Sequence, residues 1–220
     1  MDDEKVWIKQ ALAGNQTAFT RLVEAYERPV YNLAYRMLGD PAEAEDAAQE
    51  TFLRVYTRLQ TFKLDKKFSS WILSIASHYC IDCLRRKRTS QVPLEDLLAQ
   101  QVFSDPHEGP ERRTLNRRDR EVVRVLMGTL PEHYRAVLTL RYWHELSYQE
   151  MAEVLDTTQS AIKSRLHRAR RLLAKHITEL EAPVSEMDDL MDADQTGTSS
   201  SSTSNNKEKE ALQNALSASY

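Results

Sequence analysis

The densest cluster of chemically active side chains is cationic and lies in residues 159–176, which hold six lysines and arginines and no acid. Cations at this density neutralise phosphates and release their counterions, which is the sequence-independent part of nucleic-acid binding. Four apolar residues recur at helical spacing in the same stretch, and they predict a helix with one apolar face. These residues are Ile162, Leu166, Ala169 and Leu173. We therefore expect an amphipathic helix that contacts an anionic partner through its basic side.

A shorter helix is predicted immediately before this basic helix. Ser147 followed by Glu150 three residues later is the capping-box pairing that begins a helix, and an apolar stripe follows from Met151. The polar segment 156–158 then forms a turn, and the small side chain of Ala152 permits the two helices to cross closely. Two helices joined in this way form a helix-turn-helix, whose second helix lies in the major groove of DNA. The alternative is an amphipathic helical hairpin whose basic face is only solvated.

A second cluster mixes aromatic and basic residues. Thr61–Ser70 is a polar, basic break that contains two phenylalanines, and the helix predicted after it ends in Arg85-Arg86-Lys87-Arg88. A splayed single strand is bound by rings that stack on its bases and by cations that hold its phosphates. The alternative is that Phe62 and Phe68 are core residues, because most phenylalanines are buried.

Acidic side chains concentrate at the start of the helix predicted over residues 42–59, after the capping pair Asp40-Pro41. Acids near a helix N-terminus interact favourably with its dipole, which is one interpretation. Because no basic residue precedes Arg54 in this helix, a surface that receives a basic partner is the other interpretation. The acidic patch consists of Glu43, Glu45, Asp46, Gln49 and Glu50.

The composition favours an all-α fold, because the 220 residues include only 5 glycines and no stretch alternates for long in a strand pattern. No run of about 18 apolar residues is present, which predicts no membrane span. The acidic first residues are unlike a signal peptide, so we expect a cytoplasmic protein. The net charge of −3 is unevenly distributed, since residues 181–220 carry −6 and leave +3 on the rest. A near-neutral total therefore does not exclude nucleic-acid binding.

The sequence predicts two small helical domains, over residues 1–88 and 111–180. The segment 89–110 contains three prolines and no sustained apolar period, so we expect a flexible linker there. The acidic, serine-rich residues 181–220 are expected to form a disordered tail, since they cannot bury a core. Within the first domain, Pro29 is expected to kink a helix or to divide two helices.

Two cysteines form a C-x-x-C pair, Cys80 and Cys83, with His78 nearby. A zinc site would need a second pair of ligands, and no matching motif is present in the sequence. We therefore expect no metal or other cofactor, and we favour two cysteines of one buried helix. A redox role is the alternative that stays open.

Five segments, in order along the chain, resemble bacterial RNA polymerase sigma factors. The closest type is the small extracytoplasmic-function group (group IV), which keeps only sigma regions two and four. The segments are DPAEAEDAAQETF at 40–52, FSSWILSIA at 68–76, CIDCLRR at 80–86, LPEHYRAV at 130–137 and LSYQEMA at 146–152. The resemblance implies that the first domain is region two, the second is region four, and the partners are the β′ and β subunits of core RNA polymerase and promoter DNA.

The resemblance also implies a role for each cluster. The acidic patch would dock on the coiled coil of the β′ subunit, and an anti-sigma factor is a further candidate partner. The duplex minus-thirty-five element would be contacted by Arg141, Tyr148, Lys163, Ser164, His167 and Arg168. The melted minus-ten strand would be held by Phe62, Lys63, Lys66, Lys67, Phe68, His78, Arg85, Arg86 and Arg88. His78 stands where the family commonly has an asparagine that faces a flipped base, which leaves the base preference open.

Two other functions compete with promoter recognition. An enzyme acting on nucleic acid would need an acidic metal site, and Glu43, Asp46 and Glu50 share a helix face without forming a recognisable motif. No P-loop or other catalytic motif is present, so we expect that the protein is not an enzyme. A helix-turn-helix regulator that acts without core polymerase explains the basic helix but leaves the acidic patch and the aromatic–basic segment without a role.

Overall fold

The computed structural model describes residues 2–90 and 116–181, and all regular structure in those two ranges is helical, which confirms the all-α fold class. The described residues form eight α-helices and a short 3₁₀ turn at Leu59–Thr61. The helices are α1 (Asp2–Leu12), α2 (Gln16–Leu38), α3 (Pro41–Arg58), α4 (Phe68–Ser90), α5 (Asn116–Gly128), α6 (Glu132–Tyr142), α7 (Tyr148–Val154) and α8 (Gln159–Glu181). We refer to α1–α4 as the amino-terminal half and to α5–α8 as the carboxyl-terminal half.

Local capping sets the helix boundaries of the amino-terminal half. The side chain of Asn15 accepts a hydrogen bond from the backbone N–H of Ala18 at 3.1 Å, which begins α2. At the other end Gly39 adopts a left-handed conformation (φ 80°) that a side chain would strain, and its N–H closes the helix on the carbonyl of Tyr35. Asp40 and Pro41 then begin α3 as the sequence predicts.

Pro29 lies inside α2, which continues from Gln16 to Leu38 as one helix. The residue therefore does not divide two helices. Helix α4 begins at Phe68, so the predicted break at Thr61–Ser70 extends too far along the chain. The same helix extends through Ser90, so Thr89 and Ser90, the first two residues of the predicted linker, are helical. The rest of that linker through residue 110, and the tail after Glu181, lie outside the described residues.

The buried apolar side chains of the two halves form one continuous cluster. In the amino-terminal half it is built from α2, α3 and α4, where Leu33, Met37 and Ile72 are fully buried. In the carboxyl-terminal half Leu138 of α6 and Ile162 of α8 are fully buried. Helices α2 and α4 also pack directly against α5, α6 and α7, so the halves share an extensive contact.

Candidate nucleic-acid and protein interfaces

The helix-turn-helix predicted from the sequence is present as α7 and α8. The capping box is complete, because Ser147 Oγ accepts from the N–H of Glu150 at 3.2 Å while Glu150 Oε2 accepts from the N–H of Ser147 at 3.0 Å. Asp156 adopts a positive φ of 46° at the turn. Thr158 Oγ1 then accepts from the N–H of Ala161 at 3.2 Å and caps the start of α8.

Helix α8 separates its apolar and polar residues onto different faces. The four predicted apolar positions are buried against the rest of the carboxyl-terminal half. Lys163, Ser164, His167 and Arg168 are exposed near the start of the helix, on the part that a helix-turn-helix presents to the major groove. The structure therefore places these four predicted residues together on one accessible surface.

Arg141 and Tyr148 are half-buried behind this surface. Two cations approach the Tyr148 ring, with the Cζ of Arg141 at 5.4 Å and the Nζ of Lys163 at 5.8 Å from its centre. Arg141 also donates from Nη1 to the carbonyl of Leu146 at 3.0 Å. These contacts hold Lys163 and Arg141 at the edge of the exposed surface through cation–π attraction.

The two predicted phenylalanines of the aromatic–basic segment are buried. Phe62 and Phe68 pack edge to face at 5.3 Å between ring centres, and both contact Trp71 at 5.2 and 5.7 Å. Tyr26 of α2 completes this aromatic cluster at 5.3 Å from Phe68. Phe62 and Phe68 therefore lie in the core, as the alternative interpretation expects. Neither ring is exposed for stacking in this conformation.

The cations of the same segment remain on the surface. Lys63, Lys66 and Lys67 are exposed in the loop between the 3₁₀ turn and α4. Arg85, Arg86 and Arg88 are exposed near the end of α4. Arg86 Nη2 donates to Cys83 Sγ at 3.3 Å, so this guanidinium is tied to its own helix.

His78 is exposed on α4, and its Nδ1 lies 2.8 Å from the carbonyl oxygen of Ser74. A carbonyl only accepts, so Nδ1 carries a proton and Nε2 of the neutral ring is left as an acceptor. His78 also lines a cavity of about 250 Å³ between the halves, together with Arg85 of α4, His133 of α6 and Arg165 of α8. The side chain that the resemblance assigns to a flipped base therefore faces the carboxyl-terminal half.

The acidic patch divides into paired and unpaired residues. Glu43 forms an ion pair with Lys87 of α4 at 2.5 Å, and Glu50 forms one with Arg54 at 2.7 Å. Glu45, Asp46 and Gln49 are exposed, and neither acid has an ion-pair partner among the described residues. Two of the four carboxylates of the acidic patch, those of Glu45 and Asp46, therefore face solvent.

Two exposed apolar residues extend this surface along α3 and were missed by reasoning from the sequence. Leu53 is 57% exposed and Tyr56 is 55% exposed, one and two turns beyond Gln49. Large apolar side chains exposed on one helix face mark interaction sites when they adjoin polar residues. The spacing from Gln49 is the sequence signal that locates them, but spacing alone does not distinguish an exposed face from a buried one.

Acids of the carboxyl-terminal half contact cations of the predicted minus-ten site. Glu132, at the start of α6, lies 3.2 Å from Arg85 Nε and 3.5 Å from Arg88 Nη1 through its two carboxylate oxygens. Glu150 Oε1 accepts from Lys67 Nζ at 2.6 Å. Glu132 is not predictable from local sequence, because its partners Arg85 and Arg88 are more than 40 residues away in the chain.

Cys80 and Cys83 both lie on α4 as free thiols, with Cys80 buried and Cys83 half-buried. Burial, with the neighbouring Cys83, raises the pKa of the Cys80 thiol far above its usual value, so this thiol stays protonated. The described residues contain no group of three or more His, Cys, Asp or Glu arranged to hold a metal ion. No helix among those same residues is long and apolar enough to cross a membrane.

The fold and the basic surface of α8 define a helix-turn-helix protein of the kind that binds nucleic acid. Two family models match the chain, Sigma-70 region 2 over residues 22–90 and Sigma-70 region 4 over residues 114–173. The chain is 36% identical over 180 residues to the ECF RNA polymerase sigma factor SigW of Bacillus subtilis, covering 79% of this chain and 96% of that protein. It is 31% identical over 188 residues to the RNA polymerase sigma-H factor of Pseudomonas aeruginosa, covering 81% and 96%.

The chain therefore belongs to the ECF (extracytoplasmic-function) RNA polymerase sigma factors, which are DNA-binding factors of transcription initiation. Two solved structures share its fold. CnrH in complex with the cytosolic domain of CnrY matches with a TM-score of 0.60 at 24% identity, over 81% of this chain and 99% of that chain. The sigma factor RpoE in complex with the anti-sigma factor NepR from Bartonella quintana matches with a TM-score of 0.56 at 18% identity, over 73% and 96%.

Proposed function

We propose that this chain binds core RNA polymerase and directs it to promoters by reading a duplex minus-thirty-five element and capturing a melted minus-ten strand. The observation that carries the proposal is the polar surface of α8, where four side chains that can contact bases lie exposed beside the guanidinium of Arg141. A helix of this geometry enters the major groove with its N-terminal residues against the base edges. The residues 1–88 act as region two and the residues 111–180 as region four.

In the minus-thirty-five element, Lys163 and Arg168 donate to the O6 and N7 acceptors of guanine, which is the commonest specific contact in the major groove. Ser164 and His167 supply shorter donors and acceptors on the same surface. Arg141 reaches the DNA backbone from α6, and Tyr148 keeps the two cations beside it in place. Sequence readout thus comes from α8, whereas α6 and α7 position it.

In the minus-ten element, the exposed cations hold phosphates of the displaced strand and His78 contacts a base. The strand would run between the loop lysines and the arginines at the end of α4. A neutral His78 offers Nε2 as an acceptor, so it prefers a base edge that carries a donor. Phe62 and Phe68 support the loop from the aromatic core, because both rings are buried.

The docking surface for core polymerase is the exposed face of α3. Glu45 and Asp46 give it negative charge, Gln49 adds hydrogen bonding, and Leu53 and Tyr56 add apolar area. A basic helical partner complements this surface in charge and shape, and the coiled coil of the β′ subunit is the partner that we assign. An anti-sigma factor is a further candidate partner, since RpoE, which shares the fold, was solved with one.

The docking claim is tested by gel filtration of the chain with bacterial core polymerase. We expect co-elution of the wild type and loss of co-elution for Glu45→Arg with Asp46→Arg. The matched control is Glu24→Arg with Glu27→Arg, which makes the same charge change on exposed positions of α2 and should co-elute. Failure of the wild type to co-elute would favour a helix-turn-helix regulator that acts without polymerase, and equal loss in both variants would contradict the assigned surface.

A further inference from the structure

Helix α1 has no part in the proposed surfaces. The match to Sigma-70 region 2 begins at residue 22, so α1 lies before it. The helix nevertheless packs against α2, and it contributes the buried Ile8 and Ala11 to the continuous core. Its two ends also make hydrogen bonds that lead to the two ends of one loop, residues 63–67. We refer to these residues as the minus-ten loop, because they carry three lysines of the proposed minus-ten surface.

The carboxyl-terminal end of the minus-ten loop is joined to α1 through Tyr26. The Tyr26 hydroxyl donates to Glu4 Oε1 at 2.8 Å, and the Tyr26 ring packs edge to face against Phe68 at 5.3 Å between ring centres. Phe68 directly follows the loop and begins α4. Burial and the hydrogen bond to Glu4 raise the pKa of Tyr26, so its hydroxyl keeps the proton that it donates. Glu4 therefore fixes the ring against which this end of the loop packs.

The amino-terminal end of the minus-ten loop is joined to α1 through Gln60. Gln60 Nε2 donates to the carbonyl of Leu12 at 2.8 Å, at the end of α1 where carbonyls lack a partner within the helix. Gln60 belongs to the 3₁₀ turn that precedes Phe62, and the N–H of Phe62 donates to the carbonyl of Leu59 at 3.0 Å. Phe62 in turn contacts Phe68 at 5.3 Å, so the two ends of the loop meet in the aromatic cluster.

The minus-ten loop itself is short and presents its cations to solvent. Lys63, Lys66 and Lys67 are exposed, and the N–H of Lys66 donates to the carbonyl of Lys63 at 2.9 Å, which closes a turn. A loop that becomes ordered only on binding loses conformational entropy at that step, whereas a loop already held in place loses less. The hydrogen bonds to α1 hold both ends of the loop before the strand arrives.

We infer that α1 is a positioning element for the minus-ten loop, and that Glu4, Tyr26 and Gln60 are positioning residues that act on the melted strand through this loop. The inference rests on the proposed function, because it uses the assignment of the loop lysines to the minus-ten strand. The exposed acids of α3, Glu45 and Asp46, take no part in these contacts, and neither does α8. Docking on polymerase and binding of the minus-thirty-five element should therefore not depend on them.

The test uses holoenzyme assembled from the full chain and core polymerase, with a promoter that requires the wild-type chain in run-off transcription. A fluorescent oligonucleotide of the displaced minus-ten strand of that promoter is titrated, and binding is followed by anisotropy. The variant Glu4→Ala with Gln60→Ala removes both hydrogen bonds to α1. We expect it to bind the oligonucleotide more weakly by about threefold to tenfold, as for loss of one or two hydrogen bonds. Removal of an acid by itself favours DNA binding, so a weakening is not a charge effect.

Two control variants separate positioning from a general effect of substitution in α1. Asp3→Ala with Gln10→Ala replaces one acid and one amide at exposed positions of the same helix, and it should change affinity by less than about twofold. Glu4→Gln keeps an acceptor for the Tyr26 hydroxyl, so it should also bind within about twofold of the wild type. Tyr26→Phe removes only the hydroxyl and leaves the ring in the aromatic cluster, and it should weaken binding in the same direction as the double variant.

Equal affinities of the wild type and the variant with Glu4→Ala and Gln60→Ala would overturn the inference, and so would an equal loss in the variant with Asp3→Ala and Gln10→Ala. Co-elution with core polymerase and binding of a minus-thirty-five duplex should be unchanged in every variant. A parallel loss in either measurement would also overturn the inference, because it would show general destabilisation. A chain on which no promoter depends would contradict the proposed function before any oligonucleotide is titrated, so the two failures are distinguishable.

Discussion

The Cζ of Arg141 lies 5.4 Å from the centre of the Tyr148 ring, and the Nζ of Lys163 approaches the same ring at 5.8 Å. The three residues come from α6, α7 and α8, so one aromatic ring aligns cations from two other helices at the proposed duplex surface. Tyr148 is therefore a positioning residue whose ring matters more than its hydroxyl.

This arrangement predicts different effects for two replacements of Tyr148. Tyr148→Ala should weaken binding of a minus-thirty-five duplex by about threefold to tenfold, because two cation–π contacts are lost. Tyr148→Phe should stay within about twofold of the wild type, since phenylalanine also attracts cations. Fluorescence anisotropy with a labelled duplex measures both, and an equal loss in the two variants would show that the ring does not hold the cations.

Arg168 is predicted to read a base rather than a phosphate. Arg168→Ala should weaken binding to a matched promoter duplex by about 1–3 kcal/mol, as for loss of a bidentate base contact. The loss should be much smaller on a duplex mismatched at the contacted position, because the variant no longer distinguishes the two. Titration of both duplexes at one salt concentration decides the question, and the same loss on both would assign Arg168 to the backbone.

Arg135 is predicted to be a main support of the contact between the halves. It is buried, and it donates to the carbonyls of Met37, Gly128 and Leu130 at 2.5, 2.8 and 3.2 Å. Burial lowers the pKa of Arg135 to about 10, so it keeps its charge at neutral pH. Arg135→Ala should lower the free energy of unfolding by about 2–4 kcal/mol, because several buried carbonyls lose their donor.

The measurement is denaturant unfolding at pH 7, with Arg135→Lys as the companion variant. Lysine keeps the charge but lacks the planar guanidinium that reaches three carbonyls. The free energy of unfolding of Arg135→Lys should therefore lie between those of the wild type and Arg135→Ala. A lysine variant as stable as the wild type would show that charge alone, and not the hydrogen-bond geometry, accounts for the contribution.

Acid sensitivity is predicted to depend on His144. Burial lowers the pKa of His144 to about 4, so the folded chain holds this ring neutral. An unfolded histidine titrates near pH 6.5, and the unfolded chain therefore binds a proton that the folded chain does not between pH 6.5 and 4. The contribution of the neutral His144 ring to the free energy of unfolding is therefore complete above pH 6.5. It is lost as the pH falls from 6.5 to 4, by up to about 1.4 kcal/mol per pH unit.

Unfolding at several pH values between 7 and 4 tests this prediction with His144→Gln and His144→Met. Both variants should lose the same part of the pH slope, although their stabilities at pH 7 differ through packing. A slope equal to that of the wild type in either variant would exclude His144 as the titrating group.

Local features of the sequence were sufficient to predict much of the fold. The capping signals at Asp40-Pro41 and at the pair Ser147 and Glu150 depend on residues close together in the chain, and each lies at a helix start in the structure. The apolar period of the basic helix likewise predicted which side of α8 is buried.

The role of the rings in the aromatic–basic segment could not be predicted from local sequence. A phenylalanine that stacks on a base and one that fills a core have the same local sequence, and the structure buries both Phe62 and Phe68. The ion pair between Glu132 and Arg85 joins residues 47 positions apart, so no local pattern contains it. Exposure of Leu53 likewise depends on which neighbouring helices cover α3, which is a property of the tertiary packing.

The most direct test of the proposed function is run-off transcription by core polymerase on a library of genomic promoters from the source organism. We predict specific transcription starts that appear only when the wild-type chain is added. The variant with Glu45→Arg and Asp46→Arg should abolish these starts, and Arg168→Ala should reduce them selectively at matched minus-thirty-five elements. Identical start sites with and without the chain would contradict the account.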